Sequence, residues 1–168
     1  MRNHNLPPWY IRWYGKYLDK RYAISTLRHL DVQRSLFIGA PQGGVSSPFQ
    51  WNIVFDPLLC KINHETHTRA DRFADDGRII MIGKDLTCIY PEVQKALNLA
   101  DEWGQDNGLV FNPAKTEVVI FIRKYKYKIP HKKLTMGGVE LEVTQSARYL
   151  GLILDQVELR QQNGKCMQ

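Results

Sequence analysis

Residues 72–83 read RFADDGRIIMIG, and Asp75 and Asp76 stand side by side within them. Adjacent carboxylates repel, and a turn before Gly77 needs only one of them. Two at a strand end suit a hard divalent cation: magnesium takes oxygen ligands, commonly one or two carboxylates together with substrate phosphates. In a two-metal site such ions stabilise both the attacking and the leaving oxygen. By itself the dipeptide reads first as a solvated hairpin tip.

Other stretches carry groups of chemical interest. Residues 40–48, APQGGVSSP, set Gly43 and Gly44 behind Gln42. Glycines there let the backbone approach a flat or charged ligand, and the glutamine offers both a donor and an acceptor. A helix N-terminus beyond Ser47 favours phosphate nearby. Residues 115–133 hold Lys115, Arg123, Lys124, Lys126, Lys128, Lys132 and Lys133 against the single acid Glu117, with Tyr125 and Tyr127 between the lysines. Cations for phosphates and rings for stacking make the composition of a single-strand or hybrid-duplex surface; the plain alternative is a solvated loop. His64 and His67 flank Glu65 without the H-E-x-x-H spacing of a zinc protease.

The chain has 168 residues, 43% of them apolar, and a net charge of +6. That is one domain with a real core and a basic surface suited to an acidic partner such as nucleic acid. Cys60, Cys88 and Cys166 are odd in number and far apart, which argues against a disulfide framework or a zinc site. No apolar run is long enough to span a bilayer.

These groups need elements to hold them. Pro7-Pro8 open a helix on which Trp9, Trp13 and Tyr17 recur every four residues, a stripe that reads as core. Residues 22–30 and 34–38 read as strands joined by a turn at Asp31-Val32-Gln33. Ser47 as N-cap, Pro48 and Gln50 form a capping box for a helix running to about Asn63 and kinked by Pro57. Residues 69–73 and 78–82 form a hairpin whose turn is Ala74-Asp75-Asp76-Gly77. A helix spans 91–107 and closes at Asn107-Gly108. Residues 116–122 form a buried strand, 134–136 and 139–143 a hairpin about Gly137-Gly138, and 149–154 a last strand. The fold class is α+β, a mostly antiparallel sheet with helices packed on one face. Residues 1–155 form one domain, and 156–168 a polar, disordered tail.

The order of these segments is more specific than any one of them. APQGGVSSPFQWNIVFDPLL, FADDGRIIMIG, WGQDNGLVFNPAKTEVVIF and YLGLILD, preceded by LPPWYIRWYGKYLDKRYA, resemble the reverse transcriptase of non-LTR (LINE-type) retrotransposons from late fingers through palm to the start of the thumb. The resemblance implies a palm-like fold and an RNA-directed DNA polymerase using two Mg2+ ions. It implies RNA template, DNA primer and deoxynucleotides as partners, no membrane, and an intracellular location in cytoplasm and nucleus. Asp75 and Asp76 would be catalytic metal ligands, with Asp75 the stronger. Phe73 would pack near the primer end, and Gln42 and Gly43 against the incoming nucleotide. Lys115 would lie near its phosphates as a proton donor. Arg123, Lys124, Lys126 and Lys128, with Tyr149 and Gly151 in a primer-grip-like hairpin, would contact nucleic acid.

Polymerases of this type use a third carboxylate on an upstream palm strand, expected before Leu6; residues 1–5, MRNHN, contain no acid. The expectation is therefore an N-terminally truncated palm fragment, inactive alone and marginally stable. The alternatives are a non-enzymatic nucleic-acid-binding module or a degenerate relic.

Overall fold

In the computed structural model, which describes residues 5–28, 30–37, 39, 41, 43–121 and 133–155, proline at the first helical position opens α1 (Pro8–Leu18). The aromatic stripe is not core as expected. Only Tyr14 is buried, while Trp9, Trp13 and Tyr17 are 63%, 50% and 44% exposed. The rings meet one another along the helix instead: Trp13 stacks on Tyr17 with centroids 5.7 Å apart, and Tyr10 on Tyr14 at 6.3 Å. This is what i, i+4 spacing provides without a second element.

Strands β1 (Arg21–Leu27) and β2 (Leu30–Leu36) pair antiparallel, with Leu27 opposite Leu30 and Arg21 opposite Leu36. The turn lies after Leu27, where Arg28 takes a left-handed φ of 57°. It is not at Asp31-Val32-Gln33, which belong to β2. The β-branched Val32 prefers extended backbone, and Asp31 accepts the Thr26 hydroxyl across the ladder at 2.7 Å. Arg21 pins the base of this hairpin, donating to the carbonyls of Leu18 and Gly39 at 3.2 and 2.8 Å.

Helix α2 (Ser47–Glu65) starts one residue earlier than expected and has no capping box. The amide of Gln50 bonds the Ser46 carbonyl at 3.1 Å. The Ser47 hydroxyl donates to the Pro41 carbonyl at 2.7 Å, and the Gln50 side chain donates to the Tyr10 hydroxyl at 3.2 Å. The Ser47 amide, which the Gln50 side chain would accept in a capping box, bonds the Gly44 carbonyl at 3.0 Å instead. The chain forms two compact units, Met1–Pro57 and Leu58–Gln168, divided within α2.

In the second unit, Leu58, Ile62, Ala70, Tyr90, Ala96, Leu97, Leu99, Ala100, Ile120, Leu134, Met136 and Leu141 are buried. Strands β3 (Arg69–Phe73) and β4 (Asp76–Ile80) form an antiparallel ladder. Helix α3 (Leu86–Asp106) begins five residues before the expected Pro91, because the Asp85 carboxylate accepts the Thr87 amide at 3.2 Å and caps it. Its end is as expected: Gly108 takes a φ of 66°, and the Leu109 amide returns to the Gly104 carbonyl at 2.8 Å.

Strand β5 (Val118–Val119) pairs in parallel with β8 (Val143–Thr144). Strands β6 (Thr135–Met136) and β7 (Val139–Glu140) turn at Gly137-Gly138, both at positive φ, as the sequence predicts. Gln94 of α3 holds β6 through the Thr135 amide and carbonyl, each at 2.8 Å. Residues 149–154 are not one strand. β9 (Ser146–Tyr149) and β10 (Leu152–Asp155) form a hairpin whose turn residues, Leu150 and Gly151, both have positive φ.

The architecture is α+β, with helices and antiparallel ladders. The expected single sheet is present among the described residues as five two-stranded ladders, with only β5–β8 parallel. The strands beyond the hairpin ladders are two residues long, too short to extend pairing across a sheet.

Candidate functional site

The β3–β4 ladder carries Asp75 and Asp76. Its register pairs Phe73 with Asp76, leaving Ala74-Asp75 as a two-residue turn. The expected turn through Gly77 is corrected: Gly77 pairs with Arg72 inside the ladder, and Asp76 is the first residue of β4. Ala74 supplies the positive φ, 52°, that such a tight connection requires. The Arg72 guanidinium donates to the Ala74 carbonyl and closes the turn from the strand side. Partial burial holds Arg72 below its ordinary pKa range.

Alternation along the strands divides the hairpin into two faces. Ala70, Arg72, Gly77 and Ile79 share the inner one, on which Ala70 is buried. Asn63 of α2 fixes the β3 edge of the ladder: its carboxamide accepts the Ala70 amide at 2.7 Å and donates to the Ala70 carbonyl at 3.0 Å. The outer face carries Arg69, Asp71, Phe73, Asp76, Arg78 and Ile80. Asp75, Asp76 and Phe73 are exposed, Phe73 by 64%.

The three acids of this hairpin differ in their partners. Asp71 is paired with Arg78, its cross-strand neighbour, through Nε to Oδ1 and through Nη2 to Oδ2 at 3.0 Å. That hydrogen bond pushes Arg78 above its ordinary pKa. The Arg78 guanidinium also lies over the Tyr149 ring, 5.0 Å from its centroid, and so links the β3–β4 hairpin to β9. Among the described residues no lysine or arginine forms an ion pair with Asp75 or Asp76. Nor, among the described residues, does any group of three or more histidine, cysteine, aspartate or glutamate side chains gather to hold a metal ion. The local donor set is therefore two hard carboxylates, exposed and, among the described residues, uncompensated.

Lys115 ends a 3₁₀ turn, Pro113–Lys115, capped by the Asn112 carboxamide on the Ala114 amide at 3.0 Å. It is exposed and makes no ion pair with the aspartates. In the first unit, Gly43 takes a φ of 79°. The Pro41 carbonyl accepts both the Gly44 amide at 3.2 Å and the Ser47 hydroxyl at 2.7 Å. A Cβ on Gly44 would stand 2.5 Å from that hydroxyl and 3.2 Å from the Pro41 carbonyl oxygen, so a larger residue there must displace the hydroxyl from this closure. Gln42, and Arg123, Lys124, Lys126 and Lys128 of the basic run, lie outside the described residues. Tyr149 and Gly151 sit at the β9–β10 turn, with Gly151 at a φ of 84°.

Sequence reasoning missed the Asp71–Arg78 pair. Its signal is symmetry about the turn: both residues lie three positions outside Ala74-Asp75. Placing the turn at Ala74–Gly77 put them out of register.

No described helix is long and apolar enough to cross a membrane. No solved structure matches the chain. A 115 kDa protein of the type-1 retrotransposable element R1DM of Drosophila melanogaster is 25% identical over 118 residues, covering 70% of this chain and 11% of its own length. A retrovirus-related Pol polyprotein from the type-1 retrotransposable element R1 of Nasonia vitripennis is 26% identical over 121 residues, 69% of this chain and 35% of the relative. The corresponding Bradysia coprophila protein is 23% identical over 123 residues, 73% of this chain and 12% of the relative. The chain thus spans between about a tenth and about a third of the length of these curated relatives. The family described as reverse transcriptase (RNA-dependent DNA polymerase) matches residues 1–154. With the match running over nearly the whole chain, the β3–β4 hairpin and its supports included, the chain belongs to the reverse transcriptase family and is related to R1-type non-LTR retrotransposon proteins.

Proposed function

We propose that this chain is the palm segment of an RNA-directed DNA polymerase from a non-LTR retrotransposon, and that it does not polymerise alone. One observation carries the reading. In a reverse-transcriptase chain, the hairpin holds Asp75 and Asp76 exposed and, among the described residues, without an ion pair, while its third acid, Asp71, is neutralised by Arg78. Two such carboxylates fit magnesium, which completes its shell with water and substrate phosphates. Asp75 and Asp76 would hold divalent cations there, which would supply positive charge for a primer hydroxyl and for the departing pyrophosphate.

The chain's own residues do the rest. Asp75 and Asp76 hold the cations, with Asp75 the stronger ligand. Phe73, opposite Asp76 on the same face, offers its exposed ring to the primer end. Lys115 neutralises phosphate charge and donates a proton to the leaving group. Gln42 and Gly43 border the incoming deoxynucleotide. Tyr149, Gly151 and the basic run at Arg123, Lys124, Lys126 and Lys128 bind the RNA template and DNA primer by charge and stacking. Catalysis of this kind is mostly positioning and electrostatics.

The test combines Mn2+ binding, read by electron paramagnetic resonance, with RNA-templated primer extension. The expected result is Mn2+ binding that falls at least tenfold in the Asp75→Asn, Asp76→Asn double variant, with no extension by either protein. Equal Mn2+ binding by both would overturn the metal assignment. Extension by the unaltered chain, lost in the double variant, would overturn the inactivity. RNA binding indifferent to both substitutions and to Mg2+ would favour a non-enzymatic binding module.

A further inference from the structure

The ladder register places the Phe73–Asp76 pair next to the Asp71–Arg78 pair on one exposed face. Asp76 and Arg78 are two residues apart on β4 and face the same way. That spacing is roughly 7 Å along a strand, within reach of an arginine side chain. An unrestrained Arg78 would therefore be the cation best placed to cover Asp76. It does not do so. Its guanidinium is taken by both carboxylate oxygens of Asp71 and lies over the Tyr149 ring, 5.0 Å from the centroid. The planar fork suits this double engagement, a bidentate carboxylate on its edge and an aromatic ring against its face. The other ionisable residue on this face, Arg69, pairs across the ladder with Ile80.

We propose that Asp71 is a positioning residue that holds Arg78 against Tyr149 and away from Asp76, keeping the tip carboxylates open to a divalent cation. The inference rests on the reading of Asp75 and Asp76 as cation ligands. It assigns Asp71 no contact with the cation. Its effect acts through Arg78, so it must vanish when Arg78 is removed.

The experiment measures Mn2+ dissociation constants by electron paramagnetic resonance for the whole chain and four variants. Asp75→Asn, Asp76→Asn is the control for the ligand reading. Asp71→Asn is expected to bind Mn2+ about three- to tenfold more weakly, because the released arginine competes for Asp76. Arg78→Gln is expected to bind as tightly as the unaltered chain or more tightly. Asp71→Asn combined with Arg78→Gln is expected to return to the Arg78→Gln value. A double variant as weak as Asp71→Asn would overturn the proposal, as would an Asp71→Asn variant indistinguishable from the unaltered chain. If Asp71→Asn fails to fold, Arg78→Gln decides: loss of Mn2+ affinity there would mean that Arg78 supports the site instead of competing for it. Binding unaffected by Asp75→Asn, Asp76→Asn would instead remove the ligand reading, a distinct failure. A metal-free readout accompanies these. The Arg78 Nε–H NMR resonance is expected upfield from the Tyr149 ring current, and the shift is expected to disappear in Asp71→Asn and in Tyr149→Leu. No change in either variant would also count against the proposal.

Discussion

Ala74 holds the carboxylate turn in a left-handed conformation with φ 52°, which costs an L-residue about 1–2 kcal/mol. Glycine there relieves that cost but loses about 0.5–1 kcal/mol of chain entropy on folding. Ala74→Gly is therefore expected to raise the urea midpoint slightly, by the equivalent of about 0.5 kcal/mol, and Ala74→Val to lower it by more than about 1 kcal/mol. Gly104 is constrained by space. A Cβ would meet the Leu109 carbonyl oxygen at 2.7 Å, and backbone cannot yield as a side chain can. Gly104→Ala is expected to cost about 2 kcal/mol in the same measurement. At this scale the adjacency of Asp75 and Asp76 is visible in one dimension. The sequence was silent on Asp71, whose role depends on a cross-strand partner and therefore on register. The Asp-Gly signal at Asp76-Gly77 competed with the left-handed alanine and lost.

At the scale of elements, α1 and α2 illustrate how local signals are overruled. Ser47 and Gln50 have the spacing of a capping box, yet their side chains bond Pro41 and Tyr10. Side-chain partners 40 residues apart leave no local trace. The hairpin at Gly137-Gly138 was legible because two glycines at positive φ encode the turn directly. Leu150-Gly151 encodes a similar turn with one glycine and a leucine, and an apolar run hid it. Burial raises the Tyr14 phenol above its usual range. A phenol that binds its proton more tightly when folded stabilises the fold below the unfolded pKa, near 10, and loses that contribution as pH rises through the folded value. Alkaline titration followed by circular dichroism is expected to show falling stability above about pH 10, and Tyr14→Phe to flatten that fall. Asn63→Ala removes both partners of the Ala70 backbone and is expected to cost about 2–3 kcal/mol in urea.

The whole molecule divides its burial unevenly. Among the described residues of the first unit the buried side chains are Tyr14, Gln50 and Ile53, whereas Leu27, Leu30 and Phe37 are widely exposed. A two-stranded hairpin open on both faces has little to hold it. Hydrogen exchange is expected to find β1–β2 amides nearly unprotected and the α3 amides at Ala96, Leu97 and Ala100 the slowest; equal protection would contradict this partition. The net charge of +6 acts at the same scale. If Arg123, Lys124, Lys126 and Lys128 each neutralise one phosphate, single-stranded RNA affinity should fall about 50-fold between 50 and 200 mM salt. Replacing all four with alanine should flatten that dependence, measured by fluorescence anisotropy.

Asn63 has a further effect beyond anchoring. Residues in an antiparallel strand direct amide and carbonyl to the same side, and those of Ala70 are occupied by a carboxamide from α2. At that point the β3 margin of the ladder is sealed. Among the described residues β4 has no neighbour except β3. An additional strand, from a longer chain or a second molecule, would meet its more open template for backbone pairing along β4, the strand that begins with Asp76. Growth of this sheet is thereby given a direction, and that direction brings the newcomer alongside the paired carboxylates.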